Sequence, residues 1–234
     1  IDCERDNLNK LHFEDIYQKS RIRKILLLHN VQTIITQQEV QTDKYKLASF
    51  HKFPFHLFKK ETWNVEHIDS ATTNELKQTR DQKPWLRAAL ASGKLDYDET
   101  IKKYLDKRCT DIPDFQEIYD KVMSQFPSDD LLCETVQTDD IVDNERMHIW
   151  NLALLDESTN KSYRNSIFCV KRSFVINKEQ GKHCHISDEG KVDIDGKAIA
   201  FVPICTKQAF LKYYTEDANA FLEDITQKLE DFLK

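Results

Sequence analysis

The chain has 234 residues, of which 40% are hydrophobic, and this is enough to bury a core in one large domain or two small ones. Charged residues make up 32% of the sequence and the net charge is -6, which excludes a protein that coats nucleic acid through overall positive charge. Any contact with DNA must therefore use a local basic patch.

The cysteines and the hydropathy pattern point to a reduced, soluble protein. The six cysteines form no Cys-x-x-Cys pair and show no regular spacing, so neither a disulfide framework nor a zinc ribbon is indicated. A cytoplasmic setting is expected. We find no signal-peptide pattern and no apolar run of about 18 residues, so no membrane contact is expected. The sequence begins at Ile1 rather than at a Met, so we expect a C-terminal piece of a longer protein.

The first 60 residues predict an N-terminal helical segment. Apolar residues recur every three to four positions between residues 7 and 38, as a helix or a helix pair requires. The stretch 45–58 is rich in Phe and His and is broken by Pro54. It leads into a short strand at 62–68, where Trp63, Val65 and Ile68 are typical strand residues.

A helical insertion and an acidic loop follow the first strand. Residues 72–127 carry apolar residues at helical spacing, with Pro113 and Pro127 between helices. Residues 129–145 include seven acidic residues and no Lys or Arg, which favours a solvated loop. Repulsion of DNA from part of the surface is the weaker alternative.

The last third of the chain predicts a strand, a helix, a hairpin and two closing helices. A second strand is expected at 147–155, then a turn at 156–160 and a helix to about residue 177, capped by Asn160 or Ser162. Turns at 188–190 and 195–196 predict a hairpin within 184–204, with 198–204 as its most strand-like part. Thr206 is expected to cap the next helix, and 218–233 to form an amphipathic one.

Three short pieces carry the chemistry. Val65-Glu66-His67-Ile68 ends the first predicted strand, and Asn151 and Asn160 lie nine residues apart far downstream. Hydrolysis of a phosphodiester needs an activated water, a cation that absorbs charge on the phosphoryl and leaving oxygens, and a group that holds the base in place. A strand, turn and helix can present all three.

The order and spacing of these pieces resemble a known nuclease family. Glu66-His67-Ile68, then Asn151-Leu152-x-x-Leu155, then Asn160, is similar to the ββα-metal fold of HNH nucleases in the version that ends in Asn. The wider chain, from about residue 50, resembles the C-terminal nuclease domain of GmrSD-type restriction endonucleases. The strings that carry this wider resemblance are Phe53-Pro54-Phe55, His148-Ile149-Trp150-Asn151, Thr159-Asn160-x-x-Tyr163-x-Asn165-x-x-Phe168-x-x-Lys171-Arg172 and Phe201-Val202-Pro203-Ile204.

The resemblance implies a role for each of four residues. His67 would be the general base, and Glu66 and Asn160 the protein ligands of a metal ion. Asn151 would orient the loop that bears His67, because its amide can both donate and accept a hydrogen bond. Since these ligands are hard oxygen donors, the implied cofactor is Mg²⁺ or Mn²⁺ rather than zinc.

The chain departs from the family pattern at three points. Ser70 stands where many HNH nucleases have Pro. Asp156 and Thr159 replace the Cys pairs that hold a structural zinc in many members, so no structural zinc is expected. The gap between His67 and Asn151 is much longer than a simple ββα unit uses, so the two halves must meet across the helical insertion.

A basic stretch adjoins the predicted site. Residues 161–182 contain six Lys and Arg residues and a single acid, Glu179, which a DNA backbone can meet. Lys171 and Arg172 match the family's positions most closely, and the predicted DNA contacts are Lys161, Arg164, Lys171 and Arg172. The alternative is an exposed, solvated helix face, which is favoured for Lys178 and Lys182.

Other polar side chains of the sequence could also belong to a site. His148 and Asn165 are candidate substrate contacts, although a structural, hydrogen-bonded role is as good an interpretation of His148. His183-Cys184-His185 is not read as a metal site, because adjacent strand residues point to opposite faces. With only four glycines, the chain also has no phosphate-cradling glycine-rich loop.

The sequence thus predicts an α+β fold: a mostly helical domain with an embedded ββα-metal, HNH-like nuclease core and a C-terminal β-hairpin. Residues 1–60 form the N-terminal helical segment, 61–182 the nuclease core with its insertion at about 72–127, and 183–234 the hairpin and C-terminal helices. The resemblance implies a DNA endonuclease of a bacterial restriction or phage-defence protein, joined to an N-terminal nucleotide-hydrolysing module. The alternative is an inactive helical DNA-binding or protein-interaction domain with a degenerate HNH core.

Overall fold

The structure is a computed structural model that describes residues 8, 10–11, 15–45, 53–68, 76, 78–106, 113–125, 147–163, 166–211 and 217–233. Nine α-helices and four strands lie within these ranges, which confirms a mixed α and β fold. The elements are α1 (Ile16–Tyr45), α2 (Phe55–Lys60), β1 (Trp63–His67), α3 (Thr79–Ala91), α4 (Glu99–Leu105), α5 (Phe115–Gln125), β2 (Leu152–Asp156), α6 (Glu157–Tyr163), α7 (Phe168–Glu179), β3 (Lys182–Ile186), β4 (Val192–Lys197), α8 (Ile204–Leu211) and α9 (Asp217–Lys228).

Strands β1 and β2 form a two-stranded antiparallel sheet although they lie far apart in sequence. Trp63 is opposite Asp156 and His67 is opposite Leu152. A 3₁₀ turn, Ile149–Asn151, enters β2, and helix α6 follows β2 directly. The two predicted halves of the site therefore lie side by side, in the order strand, strand, helix.

The sheet has a different cluster of apolar side chains on each face, because successive strand residues point to opposite sides. Leu152 and Leu154 pack in the cluster that holds Ile22 and Ile25 of α1. Ala153 and Leu155 pack in a second cluster, whose helical members come from α6, α7 and α8: Tyr163, Val170, Phe174, Val175 and Phe210. Alternation along β2 thus separates the α1 side of the sheet from the α7 side.

Helices α3, α4 and α5 form within the stretch predicted to be a helical insertion, so the prediction of helices there is confirmed. They have their own apolar cluster, in which Trp85 and Tyr104 both pack against Phe115. The predicted acidic loop at 129–145 lies outside the described residues.

None of the described helices is long and apolar enough to cross a membrane.

The region after β2 differs from the prediction. The expected turn at 156–160 and the single helix from Asn160 or Ser162 are wrong: α6 begins at Glu157, and a separate helix α7 begins at Phe168. The cap is Asp156, whose Oδ1 accepts from the backbone N–H of Thr159 at 3.0 Å. An aspartate at this position satisfies an N–H group that the first helical turn leaves without a partner, so the helix can follow the strand directly.

The C-terminal hairpin is confirmed as β3 and β4, but its predicted extension is wrong. Residues 198–203 form no strand, and α8 starts at Ile204. Pro203 explains the difference, because it has no N–H for a strand ladder and its carbonyl accepts from Lys207 N at 2.9 Å in the first helical turn. Thr206 is therefore not the cap of α8 but lies inside it, where its hydroxyl donates to Leu154 O at 2.7 Å.

Candidate functional site

Glu66 lies on the face of the sheet that α7 covers, and it is held there by a buried lysine. Lys171 Nζ donates to Glu66 Oε1 at 2.8 Å and to the carbonyl oxygen of His67 at 2.8 Å. The side chain of Lys171 is 2% exposed and that of Glu66 is 16% exposed. This ion pair ties α7 to the end of β1.

His67 is the last residue of β1 and is half-buried. Its Nε2 lies 3.2 Å from the sulfur of Met147. Strand alternation places His67 on the side opposite Glu66, at the point where the strand ends and the chain leaves the sheet.

Asn151 is completely buried and lies beside the end of β1. Its carbonyl oxygen accepts from Ile68 N at 2.8 Å, and its own N–H donates to the carbonyl of His148 at 3.0 Å. Ile68, the residue that follows His67, is therefore hydrogen-bonded to the backbone of Asn151. This backbone contact, with the half-buried His148 one turn earlier, fixes the position where the chain leaves β1.

Asn160 is a half-buried residue of α6, one turn before Tyr163. Residues three apart share a helix face, so Asn160 lies on the side of α6 that Tyr163 turns toward the sheet. Burial, together with the negative charges of Glu66 and Asp156, raises the pKa of Tyr163 well above its usual value. Lys171 Nζ lies 2.8 Å from Glu66 Oε1 and 5.4 Å from the centroid of the Tyr163 ring, so Glu66 and the Tyr163 face of α6 lie on the same side of the sheet.

A second buried lysine lies two turns along α7. Lys178 Nζ lies 3.4 Å from Asp156 Oδ1 and 3.7 Å from Glu61 Oε2, and its side chain is 5% exposed. Burial raises the pKa of Glu61, against the influence of Lys178. A buried charge has to be paired with an opposite one. The α7 side of the sheet thus carries two ammonium groups facing the carboxylates of Glu61, Glu66 and Asp156.

The burial of these lysines corrects two predictions. Lys171 was predicted to contact DNA phosphate, which is wrong because its ammonium is enclosed and engaged by Glu66. The solvated position expected for Lys178 is also wrong. Spacing was the missed signal: Lys171, Phe174, Val175 and Lys178 follow the three-four-seven spacing of one helix face, and all four are buried.

The other predicted DNA contacts differ in their surroundings. Arg172 is exposed on α7. Lys161 is 74% exposed and forms an ion pair of 2.5 Å with Glu157, one helical turn earlier. Arg164 and the candidate substrate contact Asn165 lie outside the described residues.

Beside α6, a cleft of about 270 Å³ is lined by residues that include Trp85, Arg87 and Lys161.

The hairpin histidines follow the alternation that was predicted for them. Cys184 is buried in the core, whereas His183 and His185 share Asp195 on the other face. Their Nδ1 atoms lie 2.5 Å and 3.0 Å from the two oxygens of that carboxylate. All three of these side chains are more than 40% exposed, so the cluster belongs to the surface of the hairpin.

The predicted metal ligands fit a hard cation in donor type. Glu66 offers a carboxylate of which Lys171 engages Oε1, and Asn160 offers an amide oxygen. Two further oxygens on this side of the sheet, Asp156 Oδ2 and Tyr163 Oη, are buried and have no hydrogen-bond partner in the part of the chain that the structure describes. Those ranges hold no group of three or more His, Cys, Asp or Glu side chains arranged around a metal position. A cation here would therefore take much of its coordination shell from water and substrate.

A carboxylate paired with a buried ammonium on one face of β1 and an imidazole on the other face thus lie where β1 ends, beside a helix that follows β2. A carboxylate can bind a cation and an imidazole can accept a proton. No protein-family model, curated protein or solved structure matches this chain.

Proposed function

We propose that this chain is a metal-dependent DNA endonuclease of the HNH type. The observation that carries the proposal is the pairing of β1 with β2 and the start of α6 directly after β2. This order of strand, strand and helix is what the resemblance to the ββα-metal fold implies. Strand β1 carries Glu66 and His67, Asn151 directly precedes β2, and Asn160 belongs to α6.

Each of the four residues has a task in this proposal. The imidazole of His67 takes the proton from the attacking water. Glu66 and Asn160 hold Mg²⁺ or Mn²⁺, which when bound stabilises negative charge on the phosphoryl and leaving oxygens. Asn151 orients the loop that bears His67 with its side-chain amide, next to the backbone hydrogen bond that its carbonyl accepts from Ile68 N.

DNA is the proposed substrate despite the negative net charge of the chain. The exposed Arg172 and Lys161 lie on the two helices that pack beside the candidate site. Phosphate contacts of this kind give affinity and register rather than sequence specificity. As part of the same proposal, the chain acts in the bacterial cytoplasm in restriction or phage defence, joined to a nucleotide-hydrolysing module.

One observation favours a second candidate, an inactive DNA-binding or protein-interaction domain with a degenerate HNH core. The Glu66 carboxylate already has a cation, the ammonium of Lys171, at 2.8 Å. A lysine in that position neutralises the charge that a metal ion would otherwise neutralise. In an inactive domain this ion pair would serve only to join α7 to β1.

Plasmid cleavage with Mg²⁺ or Mn²⁺ separates the two candidates. We expect His67→Ala to lower the cleavage rate by at least about 100-fold, the usual contribution of a general base. His56→Ala is the matched control, because His56 is exposed on α2 outside the candidate site. Equal cleavage by wild type and His67→Ala would remove the enzyme proposal, and DNA binding without cleavage by any of the proteins would favour the second candidate.

A further inference from the structure

Helix α9 is joined to α1 by a hydrogen bond between two side chains. His29 of α1 is 1% exposed, and its Nε2 lies 2.6 Å from Oδ2 of Asp224 on α9. Because an ionised carboxylate only accepts hydrogen bonds, the proton of a neutral imidazole lies on Nε2 and is donated to Asp224. The other ring nitrogen, Nδ1, is buried and has no hydrogen-bond partner among the residues that the structure describes. One nitrogen of the ring thus joins the helices, and the other is enclosed without an acceptor.

The charge of Asp224 is already balanced by a lysine. Lys228, one turn further along α9, has its Nζ 2.6 Å from the same Oδ2 atom. Burial opposes the charged form of Asp224, but the hydrogen bonds from His29 and Lys228 outweigh burial and keep its pKa below the usual value. With a neutral imidazole, the three side chains therefore carry no net charge. A protonated His29 would add an unbalanced positive charge and a buried N–H without an acceptor, and both are costly.

Helix α8 brings no further charge to the imidazole. Cys205 of α8 lies with its sulfur 3.9 Å from His29 Nε2. Burial raises the pKa of this thiol to about 12, so it stays neutral and does not compensate a charged imidazole. The groups that face His29 from the neighbouring helices thus favour its neutral form.

The same face of α9 packs on the turn that enters β2. The ring of Phe221 lies edge-on to His29, with 5.4 Å between the ring centroids, and it also packs against Trp150. Trp150 belongs to the 3₁₀ turn Ile149–Asn151, which α9 contacts. Since Phe221 touches both the imidazole and the turn, a movement of α9 at His29 also removes packing from the turn.

We propose that His29 and Asp224 form a pH-sensitive latch, which holds α9 on α1 while the imidazole is neutral and releases it when the imidazole is protonated. Local opening of a helix exposes its buried face to water, where an imidazolium is readily solvated. This inference goes beyond the proposed function, because it concerns the docking of α9 and does not depend on DNA cleavage.

The sign of the pH dependence follows from the surroundings of His29. Burial lowers the pKa of His29 below its ordinary value of 6.5, and the hydrogen bond and charge of Asp224 offset this only in part. The docked form therefore binds the proton less readily than the open form. Docking is complete above pH 6.5 and weakens as the pH falls through the lowered pKa.

Three variants isolate the latch. His29→Gln keeps an amide N–H that can donate to Asp224 but does not titrate. His56→Gln is the matched control, because His56 is exposed on α2. Lys228→Met removes the cation that competes for Asp224, so that a protonated His29 can pair with the carboxylate. A purely structural histidine would give no reason for Lys228→Met to reduce the pH dependence.

The test is amide hydrogen exchange of the whole chain, read by mass spectrometry at about pH 7.5 and about pH 5.5 and corrected for the intrinsic effect of pH. We expect the protection of α9 in wild type to fall severalfold in acid, and by at most about tenfold, because the lower pH is one unit below the ordinary histidine pKa. Protection of the turn 149–151 should fall with it, and that of α7 should not. His29→Gln should show no fall, His56→Gln the full fall and Lys228→Met a smaller one.

The opposite outcomes are as well defined. Equal protection of α9 at the two pH values in wild type overturns the latch, and so does an equal fall in wild type and His29→Gln, where the other histidines still titrate. A fall in α7 as large as that in α9 also overturns it, because the whole fold would then be opening. If His29→Gln does not fold, Lys228→Met decides, and a fall as large as that of wild type overturns the charge balance on which the latch depends.

Discussion

Lys178 and Asp156 form an ion pair inside the protein, with Nζ 3.4 Å from Oδ1 and side chains that are 5% and 1% exposed. The same carboxylate oxygen accepts from Ser158 Oγ at 2.6 Å and from Thr159 N at 3.0 Å. Asp156 therefore ends β2, caps α6 and binds α7. The first turn of α6, four residues before Asn160, is held by this side chain.

Removal of Lys178 should destabilise the fold strongly. Lys178→Met leaves Asp156 as a buried carboxylate without its cation, and breaking a buried pair from one side costs about 3–5 kcal/mol of the free energy of unfolding. Urea unfolding followed by circular dichroism measures this. The control is Lys197→Met on the exposed strand β4, which should change the free energy of unfolding by no more than about 0.5 kcal/mol. Similar losses in the two variants would contradict the buried ion pair.

Asp156 should make the protein sensitive to acid. Burial opposes its charged form, but the hydrogen bonds from Ser158 and Thr159 and the charge of Lys178 outweigh burial, so its pKa lies below the usual value. A lowered pKa means that the unfolded chain binds the proton more readily. The stabilisation is therefore complete above the unfolded pKa of about 4 and is lost as the pH falls through the folded pKa.

Asp156→Asn tests this dependence. We expect the free energy of unfolding of wild type to fall more steeply than that of the variant when the pH is lowered from about 5 to 3. Glu61→Gln is the comparison of opposite sign, because burial raises the pKa of Glu61. The stabilisation that Glu61 contributes is present below its unfolded pKa and is lost as the pH rises through its folded pKa. Glu61→Gln should therefore not show this loss of the free energy of unfolding. If the free energies of unfolding of wild type and Asp156→Asn fall in parallel over this pH range, the stabilising role of the charged Asp156 is refuted.

Gly190 should tolerate no side chain. Its φ is +74°, and a Cβ at this position would lie 2.7 Å from Leu90 Cβ and 3.1 Å from the Arg87 carbonyl oxygen of α3. Gly93 has a similar φ of +71°, but a Cβ there would meet nothing within 4 Å. Gly93→Ala should therefore cost only the backbone strain, about 1 kcal/mol, whereas Gly190→Ala adds a clash with α3 and should cost about 1–3 kcal/mol more. Equal losses in thermal or urea unfolding would show that the turn does not pack against α3.

Arg172 should contribute to DNA affinity through charge. Arg172→Ala is expected to weaken binding to any duplex severalfold and to reduce the slope of log Kd against log salt by about 1, as for loss of one phosphate contact. Fluorescence anisotropy over a range of salt concentrations gives both quantities. Arg80→Ala, at a 78% exposed arginine of α3, is the control and should leave the slope unchanged. An unchanged slope for Arg172→Ala would remove it from the DNA contacts.

Part of the candidate site could be predicted because its signals are local. The strand that ends at His67 follows from the β-branched and aromatic residues before it, and the hairpin β3–β4 follows from its turn residues. The boundaries of α6 and α7 could not be predicted in the same way. Asp156 is an ordinary turn residue as well as a helix cap, and its capping role depends on a strand that leads straight into the helix.

The two buried lysines of α7 are a second feature that local sequence signals could not predict. The sequence predicts Lys171 at a DNA phosphate, from its place in the family pattern, and Lys178 in solvent, because a lysine without a known partner is expected at the surface. Their partners, Glu66, Asp156 and Glu61, lie in or beside strands far away along the chain. Only the packing of α7 on the sheet shows that the buried face of this helix includes both ammonium groups.

The sequence alone determined the local elements: two short strands, the helices between them, the hairpin, and the residues whose chemistry could serve a site. The tertiary structure decided which of those residues meet. It paired β1 with β2, joined Ile68 to Asn151, and gave Glu66 a lysine as its neighbour. The physical reason is that strand and helix patterns depend on neighbours in the chain, whereas pairing of distant strands and of buried charges depends on contacts that form only when the whole core packs.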